Sequence, residues 1–220
     1  MTRKIDTVLF DLDGTILDTN ELIIQSFMHA LKDYVAPEFG REHIIPSMGK
    51  PLTDQMRQFS GQDDVDALVA EYRKMNLHLH DELVCAFPGV LEVVKRLYDD
   101  GLKLGVVTTK MRLTTERGLK YVGLGDWMSS VITIDDVNHP KPHPEPVLKA
   151  MKELDADPSR TLMVGDSGVD MEAARAAGAI PVGVAWSLKG EKPLWEAGAK
   201  YMLYDMVDLY EIVGIGRENG

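Results

Sequence analysis

Two aspartates that follow a short apolar run are the residues of this chain best suited to chemistry. The run Thr7-Val8-Leu9-Phe10 leads directly into Asp11-Leu12-Asp13-Gly14-Thr15. An apolar strand that ends in acids places them at the carboxyl edge of a sheet, where open α/β sheets bind ligands. Alternation along the extended chain sends Asp11 and Asp13 the same way. Two like charges this close repel, so a hard, oxygen-binding cation such as Mg²⁺ is the simplest explanation, and a plain Asp-Gly turn is the alternative.

Three further polar groups follow later apolar runs. Thr108 comes after Gly105-Val106-Val107, Lys141 lies in a proline-rich loop, and Asp166 and Asp170 follow the run that ends at Val164. Each has an ordinary explanation. Thr108 and Asp166 could cap helices, and Asp170 could interact favourably with the dipole of a helix in its first turn. Lys141 could be a solvated surface residue. Their common position at strand ends instead predicts one site that binds a divalent cation and a phosphoryl group together.

The spacing of apolar residues predicts the elements that position these groups. Residues 23–34 and 65–75 repeat at helical spacing, and no convincing strand is found between Asp18 and about Glu82. From residue 87 onward, strands and helices alternate, which favours an α/β fold with a doubly wound parallel sheet. We therefore predict an α/β core of residues 1–16 and 86–220, with an α-helical cap of residues 17–85 inserted after the first strand. The predicted hinges are residues 15–19 and 85–89, which suit a lid that opens and closes.

Several later strands and helices can be placed from the same pattern. The predicted strands are 104–107, 130–133, 161–164 and 181–185, and the predicted helices are 91–98, 113–122, 146–154 and 171–177. His78 and His80 stand two apart near a helix end and so do not share a face. Surface positions are therefore expected for both.

Composition narrows the possible functions. The chain has 220 residues, 45% of them hydrophobic, and a formal net charge of −11. An acidic protein is a poor partner for nucleic acid or an anionic membrane, so any positive charge that binds an anion must be local.

The one cysteine, Cys85, excludes an intrachain disulfide and favours a cytoplasmic location. Residues 1–4 are basic, but Asp11 and Asp13 interrupt the apolar stretch after them, so we expect no secretory signal. We also expect no membrane span, and the oligomeric state is left open.

These motifs, in this order, resemble the haloacid dehalogenase superfamily over nearly the whole chain. Asp11-Leu12-Asp13-Gly14-Thr15 matches its first motif, Thr108 its second, Lys141 its third, and Gly165-Asp166 with Asp170 its fourth. The resemblance implies a Mg²⁺-dependent phosphohydrolase with Asp11 as nucleophile and Asp13 as acid and base. It further implies that Thr108 and Lys141 stabilise the phosphoryl group, and that Asp11, Asp13, Asp166 and Asp170 form the metal site.

The substrate class is indicated by a finer resemblance and by charge. Residues 19–24, 107–110, 141–146 and 184–190 look like those of the bacterial pyrophosphatases of this superfamily, with His143 as a departure where many relatives carry an acid. Pyrophosphate is therefore expected first and phosphoglycolate second. A phosphomutase and a phosphometabolite sensor without activity are the remaining alternatives. The residues expected to bind substrate are Thr109, Lys50, Lys110 and Lys189, with Lys50 descending from a cap loop.

Overall fold

A computed structural model of the chain describes residues 5–216, and its centre is a six-stranded parallel sheet. The strands of this sheet are β1 Thr7–Phe10, β4 Lys103–Val107, β5 Ser130–Ile132, β6 Thr161–Gly165, β7 Ile180–Val184 and β8 Tyr201–Leu203. Across the sheet they lie in the order β5-β4-β1-β6-β7-β8. β1 lies between β4 and β6, with Phe10 opposite both Val106 and Val164. This register brings the carboxyl ends of three strands together.

Helices cover both faces of the sheet. These helices are α5 Val90–Asp99, α6 Arg112–Val122, α7 Glu145–Glu153, α8 Gly168–Ala176, α9 Lys192–Glu196 and α10 Asp208–Val213. Two apolar clusters fill the space between sheet and helices, one around Phe10, Val106 and Val184 and the other around Leu9 and Met163. Adjacent residues of β1 therefore point to opposite faces, and both faces are buried. This confirms the predicted α/β fold with a doubly wound parallel sheet.

Between β1 and β4 the chain leaves the sheet and forms a helical segment. Its helices are α1 Asn20–Leu31, α2 Arg41–Ile44, α3 Leu52–Ser60 and α4 Asp66–Leu83. They enclose an apolar cluster of their own, which includes Phe27, Leu31 and Met56. Phe27 contacts Phe59 edge-on, with ring centroids 5.5 Å apart, and Tyr72 at 4.7 Å. A local core of this kind holds the segment together independently of the sheet packing.

The two stretches of chain that lead into and out of this segment pair with each other. β2 Leu17–Asp18 and β3 Cys85–Ala86 form a short antiparallel ribbon, with Leu17 opposite Ala86 and Asp18 opposite Cys85. The sequence pattern did not predict these strands, because two residues are too few to show an alternation. The predicted hinges at 15–19 and 85–89 thus contain a pair of hydrogen-bonded strands.

Other differences from the sequence pattern have simple causes. Strand bounds agree to within a residue, but α8 begins at Gly168, three residues earlier than predicted, because Ser167 and Asp170 cap one another at its start. β8, α9 and α10 were not predicted. The expectation of a surface position for His80 is wrong, since its side chain is fully buried, whereas His78 is exposed. Residues 1–4, which entered the expectation of no secretory signal, lie outside the described residues.

Candidate active site

The carboxyl end of β1 carries Asp11 into a buried position. The Asp11 amide donates to the Val164 carbonyl at 2.8 Å, so the extended pairing with β6 continues one residue beyond the strand. Gly14 then turns the chain with φ at +80°. A Cβ atom on Gly14 would lie 2.8 Å from Asp166 Oδ2, so glycine allows the first acidic loop to approach the second.

Lys141 joins two of the acids beneath this loop. Its Nζ donates to Asp11 Oδ1 at 2.7 Å, to Asp170 Oδ1 at 2.6 Å and to the Val107 carbonyl at 2.8 Å. The Lys141 side chain is 2% exposed, and those of Asp11 and Asp170 are 8% and 1% exposed. Three acceptors satisfy all three donors of the ammonium group, which is the condition under which a lysine can be buried with its charge. Lys141 is therefore a fixed part of the site rather than a solvated side chain.

Burial dominates the electrostatics of these acids. Desolvation and, to a smaller extent, the neighbouring carboxylate of Asp170 raise the pKa of Asp11 to about 7, against the favourable charge of Lys141. The pKa of Asp166 and of Asp170 is also raised, again mainly by burial. Burial by itself would lower the pKa of Lys141, but the charges of Asp11 and Asp170 outweigh that effect and raise it. The cluster thus holds more negative charge than its surroundings accommodate easily, and an added cation would relieve it.

Three of the acids are placed to bind such a cation. Asp11, Asp166 and Asp170 each offer a carboxylate oxygen, and these oxygens lie within 4.8 Å of one another. All three residues are buried. An all-oxygen set of carboxylates is the donor set that Mg²⁺ and related hard cations prefer, so the residues present fit a divalent cation of this kind. The structure thus places an acidic cluster that can bind a metal at the end of the sheet.

Asp13 is not one of the three acids of this cluster. Its Oδ1 accepts from Lys110 Nζ at 2.9 Å and from the Thr19 hydroxyl at 2.7 Å. Lys110 was expected to bind substrate. In the structure its side chain is 11% exposed and its ammonium group is paired with Asp13. The side chain of Asp13 is therefore positioned by a lysine from the core and a threonine that precedes α1.

The helical segment closes over this edge of the sheet through two hydrogen bonds to its 48–51 loop. The Thr109 hydroxyl donates to the Gly49 carbonyl at 3.2 Å. Lys189 Nζ donates to the Met48 carbonyl at 2.9 Å and lies 3.4 Å from Asp166 Oδ2. Gly49 has φ at +94°, and a Cβ there would meet Ser167 Oγ at 2.9 Å, so this residue also permits a close approach. Thr109 and Lys189 thus hold the loop against the site.

A cavity of about 250 Å³ lies between the helical segment and the sheet edge. Asp11, Asp13, Thr108 and Asp166 line it from the sheet side. Thr108 is buried, and its hydroxyl accepts a hydrogen bond from the Lys110 amide at 3.2 Å. Lys50 lines the cavity from the 48–51 loop, and its side chain is exposed. Asp11, Thr108 and Asp166 therefore share one cavity with Lys50, whereas Lys141 and Asp170 belong to the buried cluster and are not among the residues that line the cavity.

Several residues of the site were missed by sequence reasoning. Tyr72, Arg73 and Asn76 line the cavity from α4. Asn76 is 5% exposed on the buried face of α4, and a polar residue at a core-facing spacing was the signal available in the sequence. Ser187, whose hydroxyl donates to the Asp166 carbonyl at 2.7 Å, gave no such signal because it contributes through a distant loop.

Comparison with known proteins agrees with this arrangement. The sequence profile of the family described as Haloacid dehalogenase-like hydrolase matches residues 8–184. A protein from Bacillus velezensis named Pyrophosphatase PpaX is 44% identical over 97% of this chain and 98% of its own length. A protein of the same name from Bacillus mycoides is 46% identical over 99% of this chain and 100% of its own. The crystal structure of a hydrolase from Pseudomonas syringae superimposes with a TM-score of 0.84 at 27% identity, covering 94% of this chain and 97% of that one.

The match extends across the sheet, its flanking helices and most of the strand-end residues described above. Among residues 5–216, no helix is both long and apolar enough to cross a bilayer. The profile match covers more than half of the chain, and the relatives are well above 30% identity over nearly its full length. The chain therefore belongs to the haloacid dehalogenase-like hydrolase family.

Proposed function

We propose that this protein is a Mg²⁺-dependent phosphohydrolase whose preferred substrate is inorganic pyrophosphate. The observation that carries the proposal is the buried Asp11-Lys141-Asp170 cluster, whose Asp11 lines a cavity together with Asp13 and Lys50. Together these residues provide a carboxylate, a metal-binding set and cationic groups at one site. The name Pyrophosphatase PpaX, carried by the relatives at 44% and 46% identity, supports pyrophosphate as the substrate.

Mg²⁺ would be held by the carboxylates of Asp11 and Asp166 and the backbone carbonyl of Asp13, with Asp170 completing or orienting the set. When bound, it neutralises phosphate oxygens and so permits an anionic nucleophile to approach an anionic substrate. The remaining chemistry belongs to the side chains. Lys141 holds the Asp11 carboxylate in place through a 2.7 Å hydrogen bond, and this fixes the direction from which Asp11 reaches the cavity.

Asp11 is the nucleophile of the proposed reaction. One of its carboxylate oxygens forms a bond to phosphorus while the bridging P–O bond of pyrophosphate breaks, which leaves an aspartyl-phosphate and a departing phosphate. Asp13 gives its proton to the departing oxygen. In the second half, Asp13 takes a proton from water, the water oxygen bonds to phosphorus, and the P–O bond to Asp11 breaks. This returns both carboxyl groups to their starting state and releases the second phosphate.

Thr108 and Lys141 stabilise the transferring group. Thr108 lines the cavity at the end of β4, and the ammonium of Lys141 adjoins it through its hydrogen bond to Asp11. Donors held in place before the reaction stabilise developing charge without reorganisation, which is the largest contribution in this type of chemistry. Thr109, Lys110 and Lys189 contribute indirectly as well, because they fix the 48–51 loop and Asp13.

The helical segment, residues 17–85, acts as a cap in this proposal, inserted into the α/β core. Its 48–51 loop contacts the site through side-chain hydrogen bonds from Thr109 and Lys189 to two carbonyl groups, which can break when the loop lifts. Opening about the 17–18 and 85–86 ribbon would admit substrate, and closure would exclude water. A cytoplasmic location fits the single cysteine of the chain.

Phosphate release across a panel of substrates tests the assignment. Pyrophosphate, phosphoglycolate, sugar phosphates and nucleotides are compared with and without Mg²⁺. We expect pyrophosphate to give the highest kcat/KM. Phosphoglycolate is the second candidate, since its carboxylate places a second anionic centre where Lys50 lies. Transfer of the phosphoryl group to a sugar rather than water would identify a phosphomutase, and binding without turnover would identify a sensor.

Replacement of Lys50 tests which part of the cavity recognises the leaving group. Losing one charge-assisted contact costs roughly 1.5–3 kcal/mol, a tenfold to hundredfold fall in kcat/KM. Lys50→Ala should show this loss of kcat/KM for pyrophosphate but not for an aryl phosphate, whose aryl group is neutral. Lys74→Ala is the matched control, because Lys74 lies on α4 with 78% of its side chain exposed and does not line the cavity. An equal change for both substrates would show that Lys50 does not contact the leaving group.

A further inference from the structure

A second group of potential metal ligands lies on the outer surface of the loop that carries Lys141. His139 and His143 are exposed, and Glu145 is the first residue of α7. One ligand atom from each lies within 4.8 Å of the others. The two imidazole rings face each other with centroids 4.7 Å apart, and His139 Nδ1 is 2.8 Å from Glu145 Oε2. This His-His-Glu set is separate from the Asp11, Asp166 and Asp170 cluster and contains nitrogen donors, which that cluster lacks.

The geometry points to a surface binding site for a borderline transition-metal ion, with Zn²⁺ as the representative, formed by His139, His143 and Glu145. Two imidazoles and a carboxylate are a common three-ligand set for Zn²⁺, with water in the remaining position. Ligand atoms around tetrahedral Zn²⁺ are about 3.3 Å apart, as bond lengths near 2.0–2.1 Å require. The three ligand atoms, which lie within 4.8 Å of one another, would reach this arrangement by side-chain rotation.

The backbone of the loop favours such a site before any ion arrives. Pro140, Pro142 and Pro144 alternate with the residues that carry the chemistry, and each fixes one backbone dihedral angle. A restrained loop loses less entropy when its side chains coordinate an ion. Glu145 accepts backbone hydrogen bonds from Asn138 at 2.9 Å and His139 at 3.0 Å, which hold its carboxylate beside the rings. Glu172 lines the same surface groove and adds negative charge.

The arrangement has one explanation that needs no ion. A His139–Glu145 ion pair would account for the 2.8 Å contact, and the Glu145 amide donates to His143 Nδ1 at 3.2 Å. Coordination by His143 would replace this long hydrogen bond with a stronger bond to the ion. The two explanations differ in a measurable way, because only the metal site places two nitrogen ligands on one ion.

Electron paramagnetic resonance with Cu²⁺ counts those nitrogen ligands in the untagged, full-length protein under saturating Mg²⁺. We expect a bound ion with two coupled nitrogens in the wild type, one in His143→Ala and one in His139→Ala. His78→Ala is the control, since His78 is an exposed histidine on α4, and it should leave the spectrum unchanged.

Calorimetric titration with Zn²⁺ gives the affinity. One equivalent should bind to the wild type, and loss of one of three ligands should weaken binding at least about tenfold in His143→Ala and Glu145→Gln. A wild-type spectrum without nitrogen coupling, or unchanged nitrogen coupling and Zn²⁺ affinity in the histidine variants, would overturn the proposal and leave the ion pair as the explanation. Neither measurement depends on turnover, so failure of this site is distinguishable from failure of the proposed activity.

Discussion

Removing the ammonium group of Lys141 should destabilise the folded protein strongly. In Lys141→Met the side chain keeps its length, but the Asp11 and Asp170 carboxylates, 8% and 1% exposed, lose the cation that binds both. Breaking a buried ion pair by removing one partner costs about 3–5 kcal/mol. For a chain of this size, 1 kcal/mol shifts Tm by about 2–4 °C, so Tm should fall by roughly 6–20 °C in metal-free buffer.

The pH dependence of this loss identifies its cause. An acid whose pKa is higher in the folded than in the unfolded state destabilises the fold fully above its folded pKa; the penalty decreases as pH falls below that value and is gone below the unfolded pKa. Asp11 already has a pKa raised to about 7 with Lys141 present, and loss of Lys141 raises it further. The deficit of Lys141→Met should therefore be larger at pH 8.5 than at pH 5.5.

Thermal unfolding in the presence of a chelator measures both effects. Lys149→Met is the control, because Lys149 is partly exposed and, within residues 5–216, donates only to the Asp136 carbonyl at 2.8 Å, and it should change Tm by a few degrees at most. A Tm for Lys141→Met within a few degrees of the wild type at pH 8.5, or a deficit independent of pH, would refute the argument that Lys141 compensates two buried charges.

Three further predictions concern the acids. Asp11→Asn keeps the side-chain volume, so far-ultraviolet circular dichroism should be unchanged while phosphate release falls by at least about a thousandfold; intact activity would exclude Asp11 as nucleophile. Chelation should abolish turnover and Ca²⁺ should restore it poorly, because its larger and looser coordination sphere misplaces the nucleophile; full activity in excess chelator would contradict the metal requirement. The affinity for Mg²⁺, measured from the Mg²⁺ dependence of Tm, should be lower at pH 6 than at pH 8. The reason is that protons compete for the carboxyl groups of Asp11, Asp166 and Asp170, whose pKa values are raised. Equal affinity at both pH values would contradict that competition.

Much of the sheet could be predicted because its signals are local. Short apolar runs bounded by glycine or polar residues gave β1, β4 and β6 to within a residue. Parallel pairing then required their carboxyl ends to meet, which placed Asp11, Thr108 and Asp166 at one edge. The strands β2 and β3, with two residues each, and β8, with three, have too few residues for an alternation to appear.

Contacts between distant parts of the chain could not be predicted in this way. His80 is buried because the face of α4 that carries it packs near Gly118 of α6, where a Cβ would lie 3.7 Å from His80 Nε2. Nothing in the spacing of His78 and His80 specifies that contact. Likewise, the pairing of Lys110 with Asp13 joins residues 97 positions apart, and the sequence supports a substrate-facing lysine equally well.

The charges of the site show why an acidic protein can bind an anionic substrate. Four carboxylates of the site lie among three ammonium groups: Lys141 contacts Asp11 and Asp170, Lys110 contacts Asp13, and Lys189 approaches Asp166. The paired groups nearly cancel, so the net charge of −11 resides elsewhere on the chain. A divalent cation would reverse the small remaining negative charge and make the cavity attractive to a phosphoryl group. Because Lys50 lines the same cavity with an exposed side chain, its charge remains available to the second anionic centre of pyrophosphate. Under the proposed function, we expect selectivity for pyrophosphate over an ester with a neutral leaving group to depend on Lys50, the cation that the 48–51 loop presents to the cavity.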